Sequence, residues 1–186
     1  MRILVGWADD VSPNLGVRVL SRGSRDLLRR IWPDAEFEHM NYRSRPPQIQ
    51  WAPRSLLRER LTGRLGTMDW LRGFDLFWDT RSGDSFADIY GMPRHRTMSL
   101  IHDFAVRAGV PSVLAPQTIG PFQTARGRAY ARRNMRQSRL VFARDPASAA
   151  AAARLGRPVD VTSTDLVFGI DQPAAGPSRD VLLNVS

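Results

Sequence analysis

The sequence predicts an α/β fold built on a mostly parallel sheet with helices on both faces. Two observations carry this. Short apolar, β-rich runs recur along the chain, and helix-length stretches separate most of them. That alternation is the pattern of βαβ units. A third observation is the punctuation between them, in which capping residues open helices and Gly or Pro closes them.

The elements follow in order. Residues 2–7 read as the first strand and 14–30 as a helix, with Asn14 as its cap. Residues 35–41 form the second strand. The segment 43–53 (Arg-Ser-Arg-Pro-Pro-Gln-Ile-Gln-Trp-Ala-Pro) breaks both periods and reads as a loop or arm. Strand 74–79 is followed by helix 94–108, which Gly109-Val110-Pro111 ends before strand 111–115. Thr124 caps a helix over 124–137, and strand 139–143 comes next. Asp145-Pro146 opens helix 146–155, with Asp as cap and Pro in the first turn. Strand 158–162 ends the set. Residues 1–170 are thus expected to form one domain and 171–178 a linker. Residues 179–186 would open the first strand of a second domain that the chain does not contain.

The chain has 186 residues, which suits one domain or one and a fraction. No window approaches the ~20 apolar residues of a membrane-spanning helix. The apolar start, Ile3-Leu4-Val5, is too short for a signal peptide and soon meets Asp9-Asp10. There is no cysteine, which excludes disulfides, a thiol nucleophile and a cysteine zinc site. A cytoplasmic location is expected. The formal net charge is +9, and all 27 basic residues are Arg. Such uniform use of Arg points to codon bias as one source of the charge, yet +9 still favours anionic partners.

In open parallel sheets, ligands bind at the carboxyl ends of the strands. After the first strand, Asn14 and Gly16 stand at a helix start whose backbone N–H groups can hold an anion. No G-x-G-x-x-G accompanies them. After the third strand, residues 79–91 carry three carboxylates, Arg81, Gly83 and Ser85 in a connection longer than structure alone requires. A carboxylate there could act as a general base toward a sugar hydroxyl or simply hydrogen-bond one, and the plain alternative is a helix cap with a solvated loop. After the fourth strand, Gln117, Thr118 and Gly120 offer neutral hydrogen bonding on a fixed backbone. Arg144 follows the fifth strand. It either binds an anion together with the next helix N-terminus or pairs with a neighbouring carboxylate. Asp165, after the sixth, either caps a turn or faces the cleft.

Arg126, Arg128, Arg132, Arg133, Arg136 and Arg139 form a basic run that reads first as a solvated helix face. Contact with anionic lipid remains open. Nucleic acid is disfavoured because no aromatic interleaving or binding motif accompanies the run. His39, His95 and His102 lack metal-ligand spacing and read as surface or packing residues, and no metal is expected.

Taken together, several segments resemble the polysaccharide pyruvyl transferase family. They are Asn14-Leu15-Gly16, Gly83-Asp84-Ser85-Phe86-Ala87-Asp88-Ile89-Tyr90-Gly91, Pro116-Gln117-Thr118-Ile119-Gly120-Pro121-Phe122, Ala143-Arg144-Asp145 with Ser148 and Leu155-Gly156, and Asp165. The chain looks like the N-terminal half of such a protein. It departs where the family often carries two or three glycines, since here the residues are Arg81-Ser82-Gly83.

The resemblance implies a Rossmann-like N-terminal domain in a two-domain, B-type glycosyltransferase architecture. The implied reaction moves the enolpyruvyl unit of phosphoenolpyruvate onto a sugar diol as a pyruvate ketal. Phosphoenolpyruvate is then the donor substrate, no cofactor is expected, and the acceptor is a glycan or lipid-linked sugar. The donor-binding residues would lie mainly in the C-terminal half, so this chain alone would be incomplete and inactive. Asp84 would be the catalytic base. Asn14, Gly16, Gly83, Ser85, Gln117, Thr118, Gly120, Arg144 and Asp165 would bind substrate. Peripheral membrane contact and a homo-oligomer remain open. The alternatives are half of a B-type nucleotide-sugar glycosyltransferase, or a non-catalytic anion-binding α/β domain.

Overall fold

The computed structural model describes residues 1–42 and 49–170. Within these residues six strands form one sheet: β1 (Arg2–Gly6), β2 (Glu36–Met40), β3 (Leu76–Asp79), β4 (Ser112–Leu114), β5 (Leu140–Ala143) and β6 (Val161–Thr162). Their order across the sheet is β2-β1-β3-β4-β5-β6, and every pairing is parallel. Among the described residues six α-helices accompany them: α1 (Leu15–Ile31), α2 (Pro53–Thr62), α3 (Thr67–Leu71), α4 (Met92–Arg107), α5 (Ala125–Gln137) and α6 (Pro146–Arg154). The fold is thus α/β and Rossmann-like, and its sheet is wholly parallel where the sequence predicts a mostly parallel one.

Alternation along the strands sorts the core into layers. Ile3, Val5, Leu76, Trp78 and Val113 pack against Leu20 and Leu28 of α1 and against Leu166. From the other face, Leu4 and Phe77 meet Leu56 of α2, Leu71 of α3, and Met98, Ile101 and Phe104 of α4. Leu114, Val141 and Ala143 on that same face pack against Ala131 and Met135 of α5 and Ala152 of α6.

The local capping signals behave as expected. The Asn14 side chain accepts from the Val17 N–H, Thr124 Oγ1 from Gly127, and Asp145 from Ser148. Each cap satisfies an N–H that the helix itself leaves orphaned.

The differences from the sequence reading lie in connections and at the ends of elements. Residues 53–71 hold two helices that the periodicity did not announce. Their apolar pattern is irregular because Glu59 faces inward. Its carboxylate accepts from the N–H groups of Leu65 (2.7 Å) and Met68 (2.8 Å), so α2 organises the start of α3. Of the expected loop 43–53, residues 43–48 lie outside the described residues, and Pro53 already belongs to α2. The expected linker 171–178 and strand 179–186 also lie outside them. Strand 158–162 narrows to Val161–Thr162, because Asp160 turns its carboxylate onto the Val141 N–H and Arg157. Among the described residues, no helix is long and apolar enough to cross a membrane.

Candidate functional site

The strand order reverses direction between β1 and β3. The connection from β1 leads outward to β2, while that from β3 leads the opposite way to β4. Divergent connections of this kind open a crevice at the carboxyl edge. A cavity of about 830 Å³ occupies that place.

The segment after β3 forms its floor. Arg81, Ser82 and Gly83 all adopt left-handed backbone (φ 48°, 53° and 82°), which costs L residues other than glycine about 1 kcal/mol each. These are the positions where the resemblance leads one to expect further glycines. Arg81 and Ser82 keep that conformation through bonds instead. Ser82 Oγ donates to the Trp7 carbonyl (2.9 Å), and Thr80 Oγ1 donates to the Gly6 carbonyl (2.8 Å). Both tie the turn to the end of β1. Arg81 points into the core and is fully buried. Its Nε donates to Asp79 and its Nη2 to Asn134 (both 2.8 Å), and its guanidinium lies 4.7 Å from the Phe86 ring centroid.

The three carboxylates of this connection take different roles. Asp79 is fully buried. Burial opposes its ionisation, but the Arg81 charge and a hydrogen bond from His102 outweigh that, and its carboxyl lies below the usual range. Asp88 holds the entry to α5, accepting from the N–H groups of Gln123 (2.7 Å) and Thr124 (2.8 Å). Asp84 alone of the three lines the cavity. It accepts from the Tyr90 hydroxyl (2.7 Å) and from Ser85 Oγ (3.1 Å), and this bond raises the Tyr90 pKa above its ordinary value.

Arg94, in the first turn of α4, was not singled out from the sequence. It lines this cavity and also the adjoining one of about 310 Å³, which reaches Asp9, Asn41 and Tyr42. Its guanidinium donates to Ser85 Oγ (3.0 Å) and Ser82 Oγ (3.3 Å) and stacks 5.0 Å from the Tyr42 ring centroid. Among the described residues no carboxylate pairs with it. The signal available in the sequence was its place in the first turn of the helix that follows the loop.

Asn14, Gly16, Gly83, Asp84, Ser85, Arg144 and Asp165 all line the larger cavity. Both alternatives left open for Asp165 are realised. Its Oδ1 caps the short turn Leu166–Gly169, and its Oδ2 accepts from Arg144 (2.8 Å). Arg144 therefore reaches the crevice as half of an ion pair. A Cβ on Gly83 would stand 3.0 Å from Leu20 Cδ1 and 3.7 Å from Arg144 Nη1, so that glycine leaves room for both.

The structure does not bring Gln117, Thr118 and Gly120 to this wall. Gln117 is fully buried. The Thr118 N–H donates to the Gly83 carbonyl, and the Gly120 N–H donates to the Phe86 carbonyl. These residues brace the back of the cavity floor. His95 and His102 are fully buried packing residues, and His39 is half-buried.

Fold and crevice together define a doubly wound α/β protein with a cavity at its switch point, lined in part by polar side chains. Its sequence places it more narrowly: the chain belongs to the polysaccharide pyruvyl transferase family, whose model matches residues 14–185. Membership points to a transferase with a saccharide acceptor. A comparison with curated proteins finds no match.

Proposed function

We propose that the crevice is the acceptor side of a pyruvyl transferase site. On this reading the enzyme transfers the enolpyruvyl unit of phosphoenolpyruvate to two hydroxyls of a sugar. The donor's C3 gains a proton and becomes a methyl group. Two C–O bonds form from the diol to C2, the C2–O bond to phosphate breaks, and phosphate leaves with the remaining proton.

One observation carries this reading. Asp84 is the only carboxylate of the loop after β3 that faces the cavity. It is fixed by Tyr90 and Ser85 at hydrogen-bond distance. A carboxylate so held can take the proton of an attacking hydroxyl. The charge balance supports a mostly neutral ligand, because Arg144 is offset by Asp165 and the cavity wall carries Asp84 as well as Arg94. Ser82, Ser85 and Tyr90 supply the hydroxyls that a polyol needs. Arg94 is the group for an anionic substituent of the acceptor. A trianionic donor fits this balance poorly, in keeping with donor residues in a second lobe, as the family resemblance implies.

The test is calorimetric titration of the chain with phosphoenolpyruvate and with glycosides bearing a free diol. A turnover assay, with and without a C-terminal lobe supplied in trans, accompanies it. The expected result is acceptor binding by the chain alone, no binding of phosphoenolpyruvate, and ketal formation only with the second lobe. Binding of phosphoenolpyruvate by this chain would overturn the placement of the donor. Absence of ketal in the two-lobed protein, with turnover of a nucleotide-sugar instead, would overturn pyruvyl transfer.

A further inference from the structure

Helices α2, α4 and α5 carry charge of one sign on their outside. The three helices contain eleven arginines and two acids, Glu59 and Asp103. Both acids are buried, Glu59 on backbone N–H groups and Asp103 on Arg133 and Gln137. Arg54, Arg58 and Arg60 of α2 are exposed, and among the described residues none of them pairs with a carboxylate.

On α2 the inward positions are Leu56 and Glu59. Helical spacing then puts Arg54, Leu57, Arg58 and Leu61 together on the outward face. Leu57 is 55% exposed and Leu61 74%. A single exposed leucine needs no explanation. Two leucines one turn apart, flanked by arginines, form the pattern of a helix that lies on an anionic lipid surface. A shallow cavity of about 320 Å³ extends the face from Arg54 and Leu57 across Arg96 to Tyr130 of α5.

We propose that this face docks on a membrane of anionic lipid, with Leu57 and Leu61 entering the headgroup boundary and Arg54 and Arg58 contacting lipid phosphates. Charge complementarity selects this occupant. A second copy of the chain would bring arginines against arginines, and a nucleic acid would have no use for the leucines. The proposal stands apart from the pyruvyl-transfer reading, since none of these residues touches the crevice.

The experiment is co-sedimentation of the whole chain with vesicles of phosphatidylcholine alone or with about one-third phosphatidylserine, at two salt concentrations. Binding is expected only to the anionic vesicles and weakens as salt rises. Arg54→Gln and Arg58→Gln should each weaken it about fivefold, following the strength of a basic residue near such a surface. Leu57→Gln with Leu61→Gln should weaken it at least tenfold, while far-UV circular dichroism stays unchanged. Equal binding to neutral vesicles, no binding to anionic ones, or variants that bind as the wild type does would each overturn the proposal. So would leucine-dependent dimerisation in light scattering, or leucine-independent binding to RNA without vesicle binding.

Discussion

Arg81 Nε lies 2.8 Å from Asp79 Oδ2, two residues earlier in the chain, and both side chains are fully buried. The same carboxylate oxygen accepts from His102 Nδ1 at 2.8 Å. This ion pair sits beneath the left-handed turn that presents Ser82, Gly83 and Asp84 to the crevice. It joins the floor of the site to α4 and α5.

Arg81→Met should therefore destabilise the protein by about 3–5 kcal/mol, because it leaves a buried carboxylate without its main partner. Adding Asp79→Asn should recover about half of that loss, since the double variant leaves no bare charge. Urea unfolding of both variants checks this. A loss below about 1 kcal/mol in the single variant would mean that water reaches the pair.

The buried histidines set a pH dependence. Burial pushes His95 down to about 4, and its Nε2–H donates to the Gly127 carbonyl at 3.0 Å. The unfolded chain takes up the proton near pH 6.5, well before the folded one does. This contribution is complete above pH 6.5 and is lost as pH falls toward 4, by about 3 kcal/mol at most. Burial holds His102 low as well, which adds in the same direction. Asp79, held below the ordinary carboxylate range, acts in a lower window. Its stabilisation is present above about pH 4 and is lost only below it. Urea midpoints at pH 7.5, 5.5 and 4.5 should fall in that order, and His95→Asn should flatten the series.

Gly23 permits a close approach of α1 to the turn Leu166–Gly169. A Cβ there would stand 2.2 Å from the Leu166 carbonyl oxygen, which is backbone and has no rotamer to yield. Gly23→Ala should gain about 1 kcal/mol in helix propensity and lose more than that to overpacking. The expected net loss is about 1–2 kcal/mol in thermal unfolding. A stabilised variant would show that the turn, and Asp165 with it, moves freely off α1.

Asp84→Asn separates chemistry from folding. Asp84 is exposed and lies outside the core, so stability should change by no more than about 0.5 kcal/mol. On the proposed pyruvyl transfer, with Asp84 as base and a second lobe supplied, kcat should fall by roughly 10²–10⁴, with little change in the acceptor KM. Unchanged kcat would remove Asp84 from that role.

The order of the strands along the chain, the parallel sheet and the caps Asn14, Thr124 and Asp145 were legible in the sequence, because each depends on residues a few positions apart. Apolar runs announce buried strands, and a cap needs only the N–H three residues on. The sequence also marked residues 79–91 as the candidate site, since a polar, glycine-punctuated connection at a strand's carboxyl end has few purely structural uses. It did not say which of the three carboxylates faces the cavity. Nor did it say that Arg81 turns inward, that Arg94 lines the cavity, or that Gln117 lies behind the wall. Those directions depend on partners such as Asn134, Ser99 and Trp7, which are distant in sequence and come together only when the layers pack. Local chemistry determined where the chain bends. Burial against distant partners decided which side chains were left to face the crevice.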